Sequence, residues 1–211
     1  MYVPEHFAIA DADALIAKLA RRFAGILVTV AAGGQPVATH MPVLWDAEQR
    51  VATGHIARAN PQWKLGAGRA LIVLSGPEAY VSPSYYPSKK ANGKTVPTWN
   101  YEAVHLSGAI EWFDDAARLE AVVRDLSTFH EHDRAEPWSI ADAPRPYIDA
   151  LLRGIVGVEM RVERIEAKRK LSQNKSAADF EGVIAGLEAE GAEIAALMRA
   201  TRAVSDDPDG N

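Results

Sequence analysis

Between Gly25 and Gly76 the chain sets apolar, β-rich segments one after another with little but turn residues between them, and this rhythm limits the fold more than any other feature. Gly25–Ala32 and Gln35–Trp45 flank Gly33-Gly34 and read as a β-hairpin. A polar turn, Asp46 to Arg50, leads into Val51–Ala57, and Ala70–Gly76 reads as a further buried strand that Tyr80–Tyr85 extends past Gly76-Pro77. Glu102–Phe113 and Ile155–Ile165 alternate apolar with polar residues as half-solvated strands do. A parallel doubly wound sheet needs a helix after nearly every strand. Here strands follow strands, so the expected fold is mainly β with flanking helices (α+β), a β-barrel with helices around it.

The helices fall outside this run. Asp13 is positioned to cap a helix reaching about Phe23, with Leu15, Ile16, Leu19 and Phe23 on one face. Asn60-Pro61 opens a short helix or turn, and Asn92-Gly93 suits a tight turn. Asp114 or Asp115 starts a helix carrying Leu119, Val122, Val123 and Leu126. Ser176 and Asp179 resemble a capping box, followed by Phe180, Val183, Ile184 and Leu187 and, past Gly191, by Ile194, Leu197 and Met198. The expected division is a barrel over 1–175, a helical segment over 176–204 packed on or beside it, and a disordered tail over 205–211.

Composition removes whole classes of chemistry. With no cysteine there is no disulfide, no thiolate nucleophile and no cysteine-ligated zinc or iron–sulfur centre. A net charge of −5 gives no global attraction to DNA or anionic lipid. Glu5, Asp11 and Asp13 interrupt the first segment, and no apolar run is long enough to span a bilayer, so no signal peptide or membrane span is expected and the location read is cytoplasmic. No G-x-S-x-G elbow, G-x-G-x-x-G or phosphate-loop motif is present. His130-Glu131-His132-Asp133 is ligand-rich, but side chains two apart on a helix diverge, so no metal site is expected there.

Two stretches remain that suit an anionic planar ligand. Tyr80 to His105 gathers four tyrosines, one tryptophan, three lysines and three prolines. Aromatic faces beside hydroxyls and ammonium groups suit stacking at one end of a ligand and charge neutralisation at the other; a long surface loop between strands is the alternative. Past the third strand, Arg58, Asn60, Gln62 and Lys64 form a set able to hold a phosphate. Arg161 to Lys175 carries six positive charges against two glutamates and reads either as an exposed strand edge running into a loop or as a nucleic-acid contact.

In order along the chain, MYVPEHF, THMPVLW, GHIARANPQW, YVSPSYYPSK, VPTWNYEAVHLSG and KLSQNKS resemble the PaiB-type family, described as FMN-binding negative transcriptional regulators. That family is similar in turn to the FMN-binding split β-barrels, which include pyridoxamine-phosphate oxidases and flavin reductases. The resemblance implies a split barrel, a homodimer, FMN as cofactor, and repression of sporulation and protease-type genes. On it, Arg58, Lys64 and Asn60 are the expected phosphate partners, and Thr39 and His40 are expected at the ring or ribityl chain. Ser82, Ser84 and Tyr85 are expected at the ribityl hydroxyls, and Trp99, Asn100, Tyr101 and His105 over the flavin edge. Lys170, Ser172, Gln173 and Asn174 are expected to close the pocket or lie on the dimer face. Lys168, Arg169 and Lys170 are the residues expected to meet DNA if repression is direct. The alternatives are an FMN-dependent oxidoreductase acting on a small molecule, for which no catalytic acid or base stands out, and a barrel holding haem through His40, His55 or His105.

Overall fold

The computed structural model describes residues 1–9 and 11–206, with side chains through residue 201. Among them are seven strands: β1 (Gly25–Val30), β2 (Pro36–Met41), β3 (Leu44–Asp46), β4 (Val51–Ala57), β5 (Gly68–Val81), β6 (Thr98–Phe113) and β7 (Ile155–Lys170). Six helices accompany them: α1 (Ala12–Arg22), α2 (Ser88–Asn92), α3 (Ala116–Glu131), α4 (Arg145–Leu152), α5 (Ala177–Ala189) and α6 (Ile194–Asp206). The strands form one sheet in the order β2-β1-β5-β6-β7-β4-β3. The chain divides into two compact units, a larger one of residues 11–74 and 104–166 and a smaller one from the described residues of 1–10, 75–103 and 167–211.

In the larger unit the β1–β2 hairpin forms as read, with Leu27 opposite Thr39 and Gly34 at φ +80° in the turn. The apolar run after it breaks at Pro42, so β2 and β3 are separate strands and β3 folds back on β4 with Trp45 opposite Ala52. β2 lies against β4 although the two stand near opposite ends of the strand order, so the sheet curls into a barrel. Gly54 makes this close approach possible: a Cβ there would stand 2.4 Å from the Pro42 carbonyl oxygen. Every second residue of β4 and of the first half of β7 is buried, including Ala52, Ile56, Val156, Val158 and Met160, and each large aliphatic among them contributes about 1.5–3 kcal/mol.

Helix α1 is capped by Asp11, whose carboxylate accepts from Ala14 N at 3.0 Å, not by Asp13. Asp13 instead accepts the Trp45 indole N–H at 3.0 Å and docks the helix on β3. Helix α3, capped by Asp115, packs with α4 through Leu119, Ile148 and Leu152. The His130–Asp133 stretch ends α3: His132 Nδ1 lies 2.7 Å from Asp133, which also accepts from Arg21.

In the smaller unit β5 runs through Gly76-Pro77 without a break, and Asn92-Gly93 turns out to end α2, with Gly93 in the left-handed region at φ 64°. Ser176 caps α5 as read. Helices α5 and α6 bury Phe180, Val183, Ile184, Leu187, Ile194 and Met198 with Val81, Tyr86 and Leu171. Helix α6 reaches Asp206, and 207–211, most of the expected tail, lie outside the described residues. No helix among the described residues is long and apolar enough to cross a membrane.

Candidate functional site

The turn after β4 is tethered to β1 and β2 by side-chain hydrogen bonds. Asn60 caps a 3-10 turn over Pro61–Leu65, accepting from Gln62 N at 3.0 Å, while its Nδ2 donates to Thr39 Oγ1 at 2.8 Å. Gln62 turns inward and is 1% exposed. Its Nε2 reaches Leu27 O at 3.2 Å, Thr29 Oγ1 at 3.0 Å and Val37 O at 3.2 Å, and so pins the turn to β1 and β2. Lys64 is left exposed, its ammonium 5.7 Å from the centre of the Trp63 ring. A fixed turn that presents a cation, an amide and a hydroxyl suits a phosphate with its first polyol carbons.

Arg58 is held differently from a free phosphate partner. Its Nε donates to Arg153 O at 2.8 Å, Nη2 to Ile155 O at 3.1 Å and Nη1 to Asp114 at 3.3 Å. The guanidinium thus ties the end of β4 to the start of β7. The cavity beside it, about 170 Å³ and lined by Trp63, Trp112, Phe113, Asp114 and Val156, is below the roughly 300 Å³ at which ligand pockets begin. Thr39 and His40 were expected together, yet adjacent strand residues face opposite ways. Thr39 joins Asn60, while His40 shares the exposed face of β2 with Pro36 and Ala38.

His105, in the larger unit's part of β6, is half-buried, and burial holds its pKa below the ordinary value. His55 on β4 is shifted in the same direction for the same reason, and its buried Nδ1 meets no hydrogen-bond partner.

The remaining expected residues lie in the smaller unit. Ser82 and Ser84 stand with their hydroxyls 2.7 Å apart at the start of a 3-10 turn. Tyr85 is occupied elsewhere. Its hydroxyl donates to Glu190, which pushes its pKa up to about 12, and its ring lies where a Cβ on Gly186 of α5 would be, 2.3 Å away. Asn100 is fully buried, accepting from Ser172 Oγ at 3.1 Å and donating to Met198 Sδ at 3.4 Å. Both brace the smaller unit through these bonds. Trp99 is 51% exposed and packs edge-on to Tyr80, itself 47% exposed, with ring centres 6.1 Å apart.

Lys168, Arg169 and Lys170 do not form the exposed basic strip expected for DNA. Strand β7 continues to Lys170, and each of the three side chains finds a partner within the smaller unit. Lys168 is 8% exposed, donates to Tyr2 O at 3.2 Å and lies 5.4 Å from the centre of the Tyr101 ring. Arg169 pairs with buried Glu102 at 2.7 Å. Lys170 donates to Thr98 Oγ1 and, at 2.6 Å, to Trp99 O. Gln173 closes the loop on itself, accepting from Leu171 N at 2.7 Å and donating to Arg169 O at 2.6 Å, while Asn174 is exposed.

A curled antiparallel sheet in this strand order defines a protein of the split-barrel fold. Solved structures of that fold include flavocytochrome Anf3 from Azotobacter vinelandii, at TM-score 0.56 and 14% identity over 85% of this chain and 78% of that one. A conserved protein of Mycobacterium tuberculosis is similar at TM-score 0.53 and 15% identity over 80% and 90%. Within that class, residues 1–164 match the family described as "Putative FMN-binding domain", and the chain belongs to it; the cofactor of the family is FMN. The Bacillus subtilis "Protease synthase and sporulation protein PAI 2" is 33% identical over 194 residues, 90% of each chain. An uncharacterized protein of Aspergillus fumigatus is 39% identical over 175 residues, 67% of each.

Proposed function

We propose that this chain is an FMN-dependent regulator of protease and sporulation-type gene expression, acting in the cytoplasm as a homodimer. The observation that carries the reading is the 33% identity over 90% of both chains to the Bacillus subtilis protease synthase and sporulation protein, joined to membership of an FMN-binding family. The donor set fits the cofactor: Lys64 neutralises the phosphate while Asn60 and Thr39, held 2.8 Å apart, orient it and the first ribityl carbons. The exposed Tyr80–Trp99 pair gives an apolar aromatic face to a second copy, which is where aromatic residues favour interfaces. When bound, FMN supplies redox chemistry that the side chains alone lack. Residues 1–175 then carry the cofactor, and 176–204 form a helical segment.

The test is an absorbance spectrum of the purified chain after incubation with FMN and desalting, with light scattering for the mass. Retained flavin bands on a dimer are expected, and Lys64→Ala is expected to weaken FMN about tenfold, the scale of one charge-assisted hydrogen bond. A chain that returns colourless from desalting, at every FMN concentration tried, overturns the reading.

A further inference from the structure

Helices α3 and α4 and the 3-10 turn Ile140–Asp142 between them enclose a cleft of about 550 Å³ in the larger unit. Small-molecule sites run from roughly 300 to 1,000 Å³, so the cleft has the size of one. Its floor is apolar. Ile148 is buried with Leu119 and Leu152, and Ile140 and Ala143 pack against the same cluster. Its rim is charged: Glu120 and Arg124 come from α3, and Arg145 from the first turn of α4. The cleft shares no residue with the Asn60–Lys64 turn.

The rim charges are unevenly matched. Arg145 is answered twice, by Glu120 at 2.8 Å and by Asp149 at 2.7 Å. Arg124 has Glu120 as its one acidic partner among the described residues, at 3.4 Å and one helical turn away. Charge-assisted bonds of a guanidinium lie at about 2.7–2.9 Å, so the Glu120 carboxylate is held chiefly by Arg145. A guanidinium carries several N–H donors in a planar fork that fits a carboxylate, and the Arg124 side chain, 57% exposed, has most of its donors open to the cleft mouth. A ligand with one carboxylate takes that fork while its apolar body covers the floor. A dianion is disfavoured, because Glu120 faces the same space. We propose that this cleft binds a small monocarboxylate with an apolar body, the Arg124 guanidinium taking the carboxylate and Ile140, Ala143 and Ile148 the body.

Ligand-observed NMR titration of the full chain with phenylacetate and with hexanoate tests the site. Phenylacetamide, which keeps the body without the charge, and acetate, which keeps the charge without the body, are the controls. Saturable binding of at least one acid is expected, with both controls about tenfold weaker. Arg124→Gln is expected to weaken the acid about tenfold and to leave the amide unchanged, the scale of one charge-assisted hydrogen bond. Ala141→Phe, at an exposed position of the cleft wall, is expected to fill the space and abolish binding of the acid. Both substitutions replace exposed side chains, so urea midpoints near that of the wild type are expected to accompany these losses. Retention of FMN is a separate readout: a chain that binds no flavin yet takes the acid loses the FMN reading and retains this one. No saturable binding of either acid, an amide that binds as tightly as the acid, or equal binding of the acid in wild type and either variant overturns the proposal.

Discussion

At the scale of single residues, His55 and Gln62 carry consequences that their neighbours do not. Burial keeps His55 neutral in the folded chain, whereas the unfolded chain takes up a proton near the ordinary value of 6.5. Below that pH the unfolded state binds more protons, so stability falls as pH drops. His105 is shifted the same way and adds a second share. Urea unfolding between pH 7 and 5 is therefore expected to show a loss that His55→Leu reduces; identical slopes in wild type and variant would mean that His55 is not the titrating group. Gln62 anchors three acceptors through one amide nitrogen. Gln62→Ala is expected to lower stability by about 1–3 kcal/mol and to weaken FMN more than a generic destabilisation does, since the Asn60 turn loses its anchor; unchanged urea midpoints would reject the anchoring role. The sequence marks Gln62 as one polar residue in a turn, and nothing local reveals that its partners sit on strands up to 35 positions away. Asn100 and Tyr85 show the same limit: residue type suits a flavin, while the partners that hold them as braces stand 72 and 105 positions away.

At the scale of elements, periodicity was legible wherever one face meets core and the other water. Strands β1 and β4 and helices α3 and α5 follow their patterns and caps, while α1 follows its pattern but takes its cap from Asp11, and β2 ends at Met41 short of the expected run. Helix α4 escapes such reading because it is eight residues long with proline in its first turn, and Ile148 and Leu152 form its only buried ridge. Strand β7 runs five residues past its alternating apolar segment, because the ladder tolerates charged side chains that find partners inside the smaller unit. The clearest element-scale prediction concerns α5. Its Gly182 sits where a Cβ would meet the Tyr85 carbonyl oxygen at 2.2 Å. In an isolated helix, Gly→Ala gains about 0.8–1 kcal/mol. Here overpacking against backbone costs about 1–3 kcal/mol, so Gly182→Ala is expected to lower the denaturation midpoint. A raised midpoint would mean that α5 slides freely off the Tyr85 turn.

At the scale of the whole molecule, charge decides whether the proposed regulation can act on DNA directly. The net charge is −5, and the described arginines are heavily paired: Arg69 with Glu163 at 2.6 Å, Arg118 with Glu159 at 2.7 Å, Arg145 with Glu120 at 2.8 Å and Arg199 with Glu188 at 2.6 Å. A DNA-reading protein needs cations available to displace counterions, and each phosphate neutralised adds nearly one to the slope of log affinity against log salt. With Lys168 buried, Arg169 paired and Lys170 bonded to Trp99 O, the stretch that looked most suited to DNA has little to offer a duplex. The full chain, with and without FMN, is therefore expected to show no retention of duplex DNA by fluorescence anisotropy at about 0.15 M salt, where screening is already strong over about 8 Å. At lower salt its log–log slope should stay shallow. Lys168→Ala, Arg169→Ala and Lys170→Ala combined should leave both results unchanged. A tight complex with a steep salt slope that the triple substitution flattens would place those three side chains on DNA and make repression direct. Absence of binding together with a flavin-dependent effect on gene expression would place the regulatory step at the cofactor.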